Sequence, residues 1–341
     1  MRKVLFGMLG ALTLLASGAL AQDRSSPAVK KIQARGELLC PGHNGSNPGF
    51  MEVDANGNWR GLDIDVCRAI ATAILGSPDK AKFVPMSFTQ RWTSLQSGAV
   101  DLIVKTTDAT MTRDTELNLA LSVPYLFGAF QFMVHEGIAS VRDLEGATIC
   151  TGAGSNNIRY LTDFLTTSGI KAEVLTFEKR EEEYAAYAQA RCDADMGWGP
   201  NLAILRASQK EPAKHRILDD VLTVGPQVIL VPEGDDRFLD VINWTLQALF
   251  IAEEQGVTAA NVDAKKANPP NPVVARLLGA APGIGARLGL KDDWAYNVIK
   301  NIGNFSELYN RTFGKGSAYE LPRGLNALWR DKGAIVPMIL D

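Results

Sequence analysis

Acidic and histidine side chains are the first places in this sequence to look for chemistry. Asp108 and Asp195 are the candidate loop acids, and a raised pKa would let either act as a general acid or base. The three histidines, His43, His135 and His215, are scattered along the chain, which favours structural or solvent-exposed roles. An enzyme therefore stays an alternative, but these residues alone do not identify one.

Recognised catalytic motifs give the enzyme no further support. The sequence contains no nucleophile motif, phosphate-binding loop or metal-ligand spacing. Gly152-x-Gly154 lacks the third glycine and the later acidic residue of a dinucleotide fingerprint. We therefore expect no catalytic residue, no metal and no cofactor.

The cysteines offer a different chemistry. Cys40, Cys67, Cys150 and Cys192 form an even set with no Cys-x-x-Cys pair, and their spacings lack the short paired ligands of a zinc site. Disulfides are the leading interpretation for an exported chain, and four buried free thiols are the alternative.

The N-terminus predicts export to the periplasm. Arg2 and Lys3 precede an apolar stretch over residues 4–20, and Ala19-Leu20-Ala21 has the small-x-small form of a cleavage site. This pattern predicts a signal peptide over residues 1–21. A membrane anchor is the alternative, but the stretch is shorter than the roughly 20 residues that span a bilayer.

Composition limits the remaining classes. The 341 residues are 46% hydrophobic and 21% charged, with a net charge of −3. These values are typical of a globular chain of about two domains, and they give no electrostatic reason to expect nucleic-acid binding.

Strands alternate with helices along the chain, which predicts parallel α/β architecture. The predicted helices cover residues 28–34, 91–97, 157–167, 181–190 and 238–254, and a further apolar, Ala-rich helix follows residues 61–65 and ends at residue 75. The predicted strands cover residues 36–40, 82–85, 100–105, 144–150, 172–177, 191–196 and 228–231. The alternation restarts near residue 141, so a second α/β unit begins inside the chain.

At this point the sequence resembles the general L-amino-acid binding proteins that serve polar-amino-acid ABC importers. The matching motifs follow one another in order along almost the whole chain: GNWRGLDIDVC (57–67), RWTSLQSG (91–98), MTRDT (111–115), LEGATIC (144–150), GDD (234–236), WTL (244–246), DWAYN (293–297) and RGLNALW (323–329).

The resemblance implies a type II periplasmic-binding fold, in which two α/β lobes are joined by two hinge crossings and close on a solute. Residues 22–130 and 232–341 would form lobe 1, and residues 131–231 would form lobe 2. The cysteines stand where this family usually has them. Cys40 with Cys67, and Cys150 with Cys192, would each form a disulfide within one lobe, worth about 2–4 kcal/mol.

The resemblance also implies a carboxylate site in lobe 1. Arg113 matches the carboxylate-binding arginine of this family, and a guanidinium can offer two parallel N–H donors to a carboxylate. Thr106, Thr107 and Asp108 would lie beside it. A surface arginine near a helix start is the alternative for Arg113.

In lobe 2, the resemblance places a second part of the site at Ser155 and Asn156. They follow Gly154 at the place of a Gly-Thr-Thr loop, whose backbone N–H groups usually bind the ligand carboxylate at a helix start. The same serine could instead serve as a helix cap.

Several residues depart from the family pattern. Relatives commonly have Thr at the position of Asp108 and Trp at that of Ala109, and the acid that usually binds the ligand ammonium falls at Trp198. Phe88 stands at a position that is often small. Asp108 would oppose a bound carboxylate unless it pairs with Arg113 or a ligand cation. Phe88 and Trp198 could form an aromatic wall for a cation or an apolar group, although ordinary core packing is the alternative for both.

We therefore predict a receptor of an ABC importer that binds an amino acid or an amino-acid-like solute and delivers it to a membrane permease. A receptor for a betaine or another cationic or zwitterionic solute is one alternative, and a dehydratase-like enzyme of the same fold is another. We expect the receptor to be a monomer.

Overall fold

A computed structural model describes residues 26–45 and 47–341. The predicted signal peptide, residues 1–21, lies outside the described residues. No helix in the described part of the chain is long and apolar enough to cross a membrane.

Helices and strands alternate as the sequence predicts. The helices are α1 (Pro27–Arg35), α2 (Leu62–Leu75), α3 (Arg91–Gln96), α4 (Met111–Thr115), α5 (Asn157–Ser168), α6 (Arg180–Ala188), α7 (Gly199–Ser208), α8 (Asp236–Glu254), α9 (Val262–Ala267), α10 (Pro272–Leu277), α11 (Ile284–Leu288), α12 (Trp294–Ile302) and α13 (Phe305–Phe313). The strands are β1 (Leu38–His43), β2 (Glu52–Val53), β3 (Trp59–Arg60), β4 (Ala81–Met86), β5 (Leu119–Leu121), β6 (Leu126–His135), β7 (Thr148–Gly152), β8 (Glu173–Phe177), β9 (Ala194–Trp198), β10 (His215–Ile217), β11 (Thr223–Gln227) and β12 (Leu230–Pro232).

Helix α2 organises the first α/β unit. It is apolar on most sides, and it packs against β1, β4 and the C-terminal helices α8, α12 and α13. Asp63 and Asp65 in its first turn favour the helix start, and Gly76 ends it in a left-handed conformation that glycine adopts without strain. Strands β1 and β4 pair in parallel, and the Cys40–Cys67 disulfide links β1 to α2.

The second unit is a six-stranded sheet in the order β10-β6-β9-β7-β8, with β11 also paired to β6. Strand β7 is parallel to β8 and β9, whereas β6 is antiparallel to β9, β10 and β11. The Cys150–Cys192 disulfide lies in this unit. The predicted α/β class and both predicted disulfides are thus confirmed.

Two extended segments connect the units and run side by side. Strand β5 pairs with β12, and β6 pairs with β11, all in antiparallel register. Strand β6 continues through the predicted boundary between residues 130 and 131 without a break. The division into residues 22–130 with 232–341, and 131–231, stays a prediction; we use "lobe 1" and "lobe 2" for these parts below.

Most predicted elements are confirmed, and one prediction is wrong. Residues 100–105 form no continuous strand. Asp101 N donates to Leu39 O, and Ile103 forms an isolated bridge with Leu230. The chain then turns sharply at Thr106, whose φ is 34°, so ladder pairing cannot continue.

Candidate functional site

A small space, the central cavity, lies where loops at the carboxyl ends of strands from both units meet. This is the edge at which open α/β sheets bind ligands. Its volume is about 20 Å³, enough for about one water molecule. Six of the predicted site residues border it: Phe88, Thr106, Asp108, Arg113, Ser155 and Trp198.

The other two predicted residues lie nearby. Asn156 borders a neighbouring open groove instead. Thr107 borders neither space, but its hydroxyl accepts a hydrogen bond from Arg91 at 2.8 Å. The sequence prediction missed six further residues that border the central cavity: Arg91, Phe130, Asn157, Arg180, Asn201 and Gln227.

Asp108 is already engaged by several donors. Its carboxylate accepts hydrogen bonds from Gln227 Nε2 at 2.5 Å and from Asn156 Nδ2 at 3.0 Å. Arg113 Nη1 lies 3.7 Å from Asp108 Oδ2 and donates to the Asp108 carbonyl at 2.6 Å. Burial lowers the pKa of Arg113, and Asp108 opposes this shift. The negative charge of Asp108 is therefore balanced within the protein.

Arg91, at the start of α3, is buried at the same cavity. Its Nε donates to Phe88 O, and its Nη1 donates to Lys105 O and the Thr107 hydroxyl. No described carboxylate lies within ion-pair distance of it. Burial first, and then the nearby Arg113, lower the pKa of Arg91. The structure thus contains a buried cation satisfied mainly by backbone carbonyl groups.

Phe88 is surrounded by the protein's own cations. Arg91 Cζ and Lys105 Nζ each lie 4.9 Å from the ring centroid, and Arg180 Cζ lies 5.7 Å away. Lys105 is fully buried and donates to Gly42 O at 2.8 Å. Burial lowers the pKa of Lys105 well below its usual value. The aromatic surface predicted for a ligand cation therefore stands in a cationic environment.

Trp198 ends β9, opposite Phe130 on β6, and contacts lobe 1 through the Phe50 ring at 5.5 Å. It packs over Gly128, where an added Cβ atom would lie only 2.2 Å from Trp198 Nε1. Trp198 Nε1 and Gln227 Oε1 are buried without a hydrogen-bond partner among the described residues.

A buried acid pair lies behind the lobe 2 side of the cavity. Arg180 Nη1 donates to Glu183 Oε2 at 2.8 Å, while both Asp195 carboxyl oxygens have no described partner. Burial raises the pKa of Glu183 and of Asp195, and for Asp195 the adjacent Glu183 adds to the shift. Burial and the adjacent Glu183 therefore both favour the protonated form of the Asp195 carboxyl. Asp195 does not border the central cavity.

The histidines do not converge. His43 lies edge-on to Phe88 at 5.1 Å, whereas His135 and His215 face each other on β6 and β10, beside Tyr187. Within residues 26–45 and 47–341, no cluster of His, Cys, Asp and Glu could hold a metal ion.

Ser155 precedes Asn156, which is the N-cap residue of α5, and the contact of Ser155 with a ligand stays a prediction. Its hydroxyl donates to Gly152 O at 2.9 Å and accepts from Asn157 N at 3.3 Å, which stabilises the start of α5. The same residue borders the central cavity.

Direct hydrogen bonds hold the two lobes together around the cavity. Arg91 Nη2 donates to Gly154 O at 2.7 Å, and Asn201 Nδ2 donates to Asn47 Oδ1 at 3.2 Å. Asn156 reaches Asp108 across the same boundary. The structure is therefore a closed arrangement, in which the central cavity of about 20 Å³ is too small for an amino acid.

Comparisons with known proteins identify the family. Residues 40–255 match the family model of bacterial extracellular solute-binding proteins, family 3. The chain is 40% identical to the general L-amino acid-binding periplasmic protein of Rhizobium johnstonii, over 98% of this chain and 97% of the relative. It is 35% identical to the glutamate/glutamine/aspartate/asparagine-binding protein of Rhodobacter capsulatus, over 98% of each.

A solved structure agrees over nearly the whole fold. It is an ABC transporter periplasmic binding protein of Brucella ovis with glutathione bound, 38% identical to this chain, with a TM-score of 0.87. The match covers 91% of this chain and 98% of that one. The predicted family and type II periplasmic-binding fold are confirmed, and the chain belongs to the bacterial extracellular solute-binding proteins of family 3.

Proposed function

We propose that this receptor binds an amino acid or an amino-acid-like solute with a free carboxylate between its lobes and delivers it to an ABC permease. The observation that carries the proposal is the meeting of three buried guanidinium groups, those of Arg91, Arg113 and Arg180, at one cavity between the lobes.

The positive charge at the central cavity supports a carboxylate as the group of the solute that the receptor recognises. Arg113 has Asp108 and Arg180 has Glu183, whereas Arg91 has no described carboxylate partner. A buried charge is costly unless it is paired, so an anion between the lobes stabilises this arrangement. A ligand that touches both lobes binds the closed form better than the open form and thereby favours closure.

The same charges argue against a quaternary ammonium ligand. The Phe88 ring, which could otherwise attract such a cation, has three protein cations within 6 Å. A betaine's quaternary ammonium cannot donate hydrogen bonds and would depend on this ring, whereas the primary ammonium of an amino acid can donate to a buried acceptor such as Gln227 Oε1. The proposal therefore favours an anionic or zwitterionic amino-acid ligand over a betaine.

We also propose that the chain binds its solute without converting it. Asp195, the acid with a raised pKa, is buried and does not border the central cavity, and Asp108 is held by Gln227 and Asn156. Asp195 is therefore not placed to exchange a proton with a solute in the cavity, and the Asp108 carboxylate, which borders the cavity, already accepts two hydrogen bonds. Mass spectrometry of a bound and released solute would reveal a new product if the chain were an enzyme.

Location and assembly complete the proposal. We propose a monomer that acts in the periplasm after cleavage of a signal peptide near Ala21. The relative from Rhizobium johnstonii is named as a periplasmic protein, which supports this location. Intact mass of the exported protein and light scattering test the cleavage and the monomer.

The test is a thermal-shift screen of amino acids, betaines, polyamines and small organic acids. At a solute concentration about 100 times Kd, binding should stabilise the fold by about 2.7 kcal/mol, a shift of several degrees in Tm. We expect Arg113→Ala to lose this stabilisation, because removing a charge-assisted pair to a carboxylate costs about 2–5 kcal/mol.

Each variant is compared with its own Tm in the absence of solute, because Arg113→Ala also frees Asp108. Arg237→Ala, on the exposed part of α8, is the matched control and should respond like the parent. Equal stabilisation of Arg113→Ala and the parent would exclude Arg113 from the site. A response confined to betaines would contradict the proposed ligand class.

A further inference from the structure

A second space adjoins the central cavity and is far larger. This side groove, open to solvent, has a volume of about 1190 Å³. Arg113 and Ser155 border both spaces, so the groove continues from the proposed carboxylate site. Pockets for small ligands commonly occupy about 300–1,000 Å³. The side groove therefore has room for more than the side chain of one amino acid.

The walls of the side groove have a pattern of charges. Arg159 and Asp163 lie one turn apart on α5 and both border the groove, and neither forms an ion pair with another described residue. The Tyr160 ring lies beside Arg159, with Arg159 Cζ 4.9 Å from its centroid. Trp92 of lobe 1 adds a second aromatic wall. A cation and an anion that are not paired with each other, beside aromatic side chains, fit a ligand that carries a positive charge, a negative charge and a peptide backbone.

Ala109 keeps the groove open on the lobe 1 side. Its backbone N–H donates to Pro226 O, which fixes the chain at the groove wall, and only a methyl group projects from it. A large side chain at this position would take up space in the groove that Arg113 and Arg159 also border.

We infer that the solute is a short peptide-like molecule of two or three residues that extends from Arg113 into the side groove. One carboxylate binds at Arg113, and the distal carboxylate and ammonium groups bind at Arg159 and Asp163. The inference rests on the proposed function and names its substrate class. It agrees with the solved relative that holds glutathione, a tripeptide with two carboxylates and one ammonium group.

Calorimetric titration of the mature chain tests the inference with glutathione, its S-methyl form, which cannot exchange with the disulfides, and glutamate. The parent should bind a tripeptide at least about tenfold more tightly than glutamate. Ala109→Trp should weaken tripeptide binding about tenfold or more while leaving glutamate binding nearly unchanged, because it blocks only the groove. Ala260→Trp, at an exposed turn, is the matched control and should bind like the parent.

Two variants at exposed positions test the inference even if Ala109→Trp does not fold. Val224 borders the groove and is 45% exposed, so Val224→Trp narrows the groove without disturbing the core and should weaken the tripeptide similarly. Arg159→Ala should weaken it about tenfold or more through loss of a charged hydrogen bond. Arg142→Ala, an exposed arginine outside the groove, should have no effect.

The outcomes separate the two proposals. Binding of glutamate without binding of either tripeptide would overturn the peptide inference and leave the amino-acid receptor intact. Tripeptide affinities that are unchanged in Ala109→Trp, Val224→Trp and Arg159→Ala would also overturn the inference. If no amino acid, peptide or organic acid binds the parent, both proposals are wrong.

Discussion

Arg91 shows at the residue scale how a cation can be held in a protein interior without a carboxylate. Its guanidinium donates to the carbonyl groups of Phe88, Lys105 and Gly154. Carbonyl dipoles leave the positive charge in place, whereas a carboxylate would cancel it. The cavity therefore keeps a net positive charge, which the carboxylate of a solute can balance.

His43 gives a residue-scale prediction about pH. It is 2% exposed, and burial, with Lys105 and Arg180 nearby, lowers its pKa to about 3. Because an unfolded histidine titrates near 6.5, the unfolded chain takes up this proton first as the pH falls. The free energy of unfolding should thus decrease between pH 6.5 and 3, by about 2–3 kcal/mol at pH 4.5 from this residue alone.

Replacing the imidazole ring of His43 isolates the effect of its protonation on stability. His43→Phe keeps an aromatic ring beside Phe88 but cannot be protonated, so the variant should lose less stability than the parent between pH 7 and 4.5. Urea unfolding of both proteins at pH 7 and at pH 4.5 measures this loss of stability. The difference between the two proteins at pH 7 is subtracted. Parallel decreases in the two proteins would show that His43 does not stay neutral in the fold.

Strand β6 is the element on which both the sheet and the site depend. Its carboxyl half pairs with β9 and β10, and its first half pairs with β11, so one strand connects the lobe crossing to the lobe 2 sheet. Gly128, in the first half, leaves the space that the Trp198 indole fills. The position of Trp198 at the cavity is therefore set by a glycine on another strand.

This contact predicts strong coupling between Gly128 and Trp198. An added Cβ atom at residue 128 would lie 2.2 Å from Trp198 Nε1 and 2.8 Å from Pro200 Cδ. We expect Gly128→Ala to destabilise the fold by about 1–3 kcal/mol, as overpacking does. In a Trp198→Ala background the same change should cost less than about 1 kcal/mol, because the rigid indole is gone. Additive losses in denaturant unfolding of the four proteins would contradict the coupling.

The difference between the predicted and missed elements has a physical reason. Helices such as α2 and α8 were predictable because their apolar periodicity and caps are local. Strand β6 was not identified, because its partners β9, β10 and β11 lie more than fifty residues further along the chain. Phe130, Phe132 and Val134 favour a strand locally, and the distant pairing sets its register.

The residues of the candidate site also divide into predicted and missed ones. Arg113 was predicted from the motif around it, and the structure places it at the central cavity. Arg91 belongs to the RWTSLQSG motif, but the sequence did not assign it to the site. The orientation of its side chain depends on the carbonyl groups of Phe88, Lys105 and Gly154. Long-range acceptors of this kind leave no local pattern in the sequence.

At the scale of the whole molecule, a few contacts between the lobes hold the closed arrangement. Besides the bonds of Arg91, Asn156 and Asn201, Thr89 Oγ1 donates to Glu178 Oε2 at 3.2 Å. The β5–β12 and β6–β11 pairs of the crossings, with isolated bridges such as Asp108–Gln227, also join the lobe segments through the backbone. Opening thus requires these few side-chain bonds to break while the crossings bend.

The Arg91 bond to Gly154 leads to a prediction about the open and closed populations. A hydrogen bond to a charged group contributes about 1.5–3 kcal/mol, so Arg91→Ala should shift the closed-to-open ratio about 10- to 100-fold toward the open form. Small-angle X-ray scattering without solute should then give a larger radius of gyration than for the parent, if the parent is mainly closed. Arg276→Ala is the matched control, since Arg276 Nε donates to Leu340 O within lobe 1 and should leave the scattering unchanged. Identical scattering from the two variants would show that the Arg91 bond does not hold the lobes together.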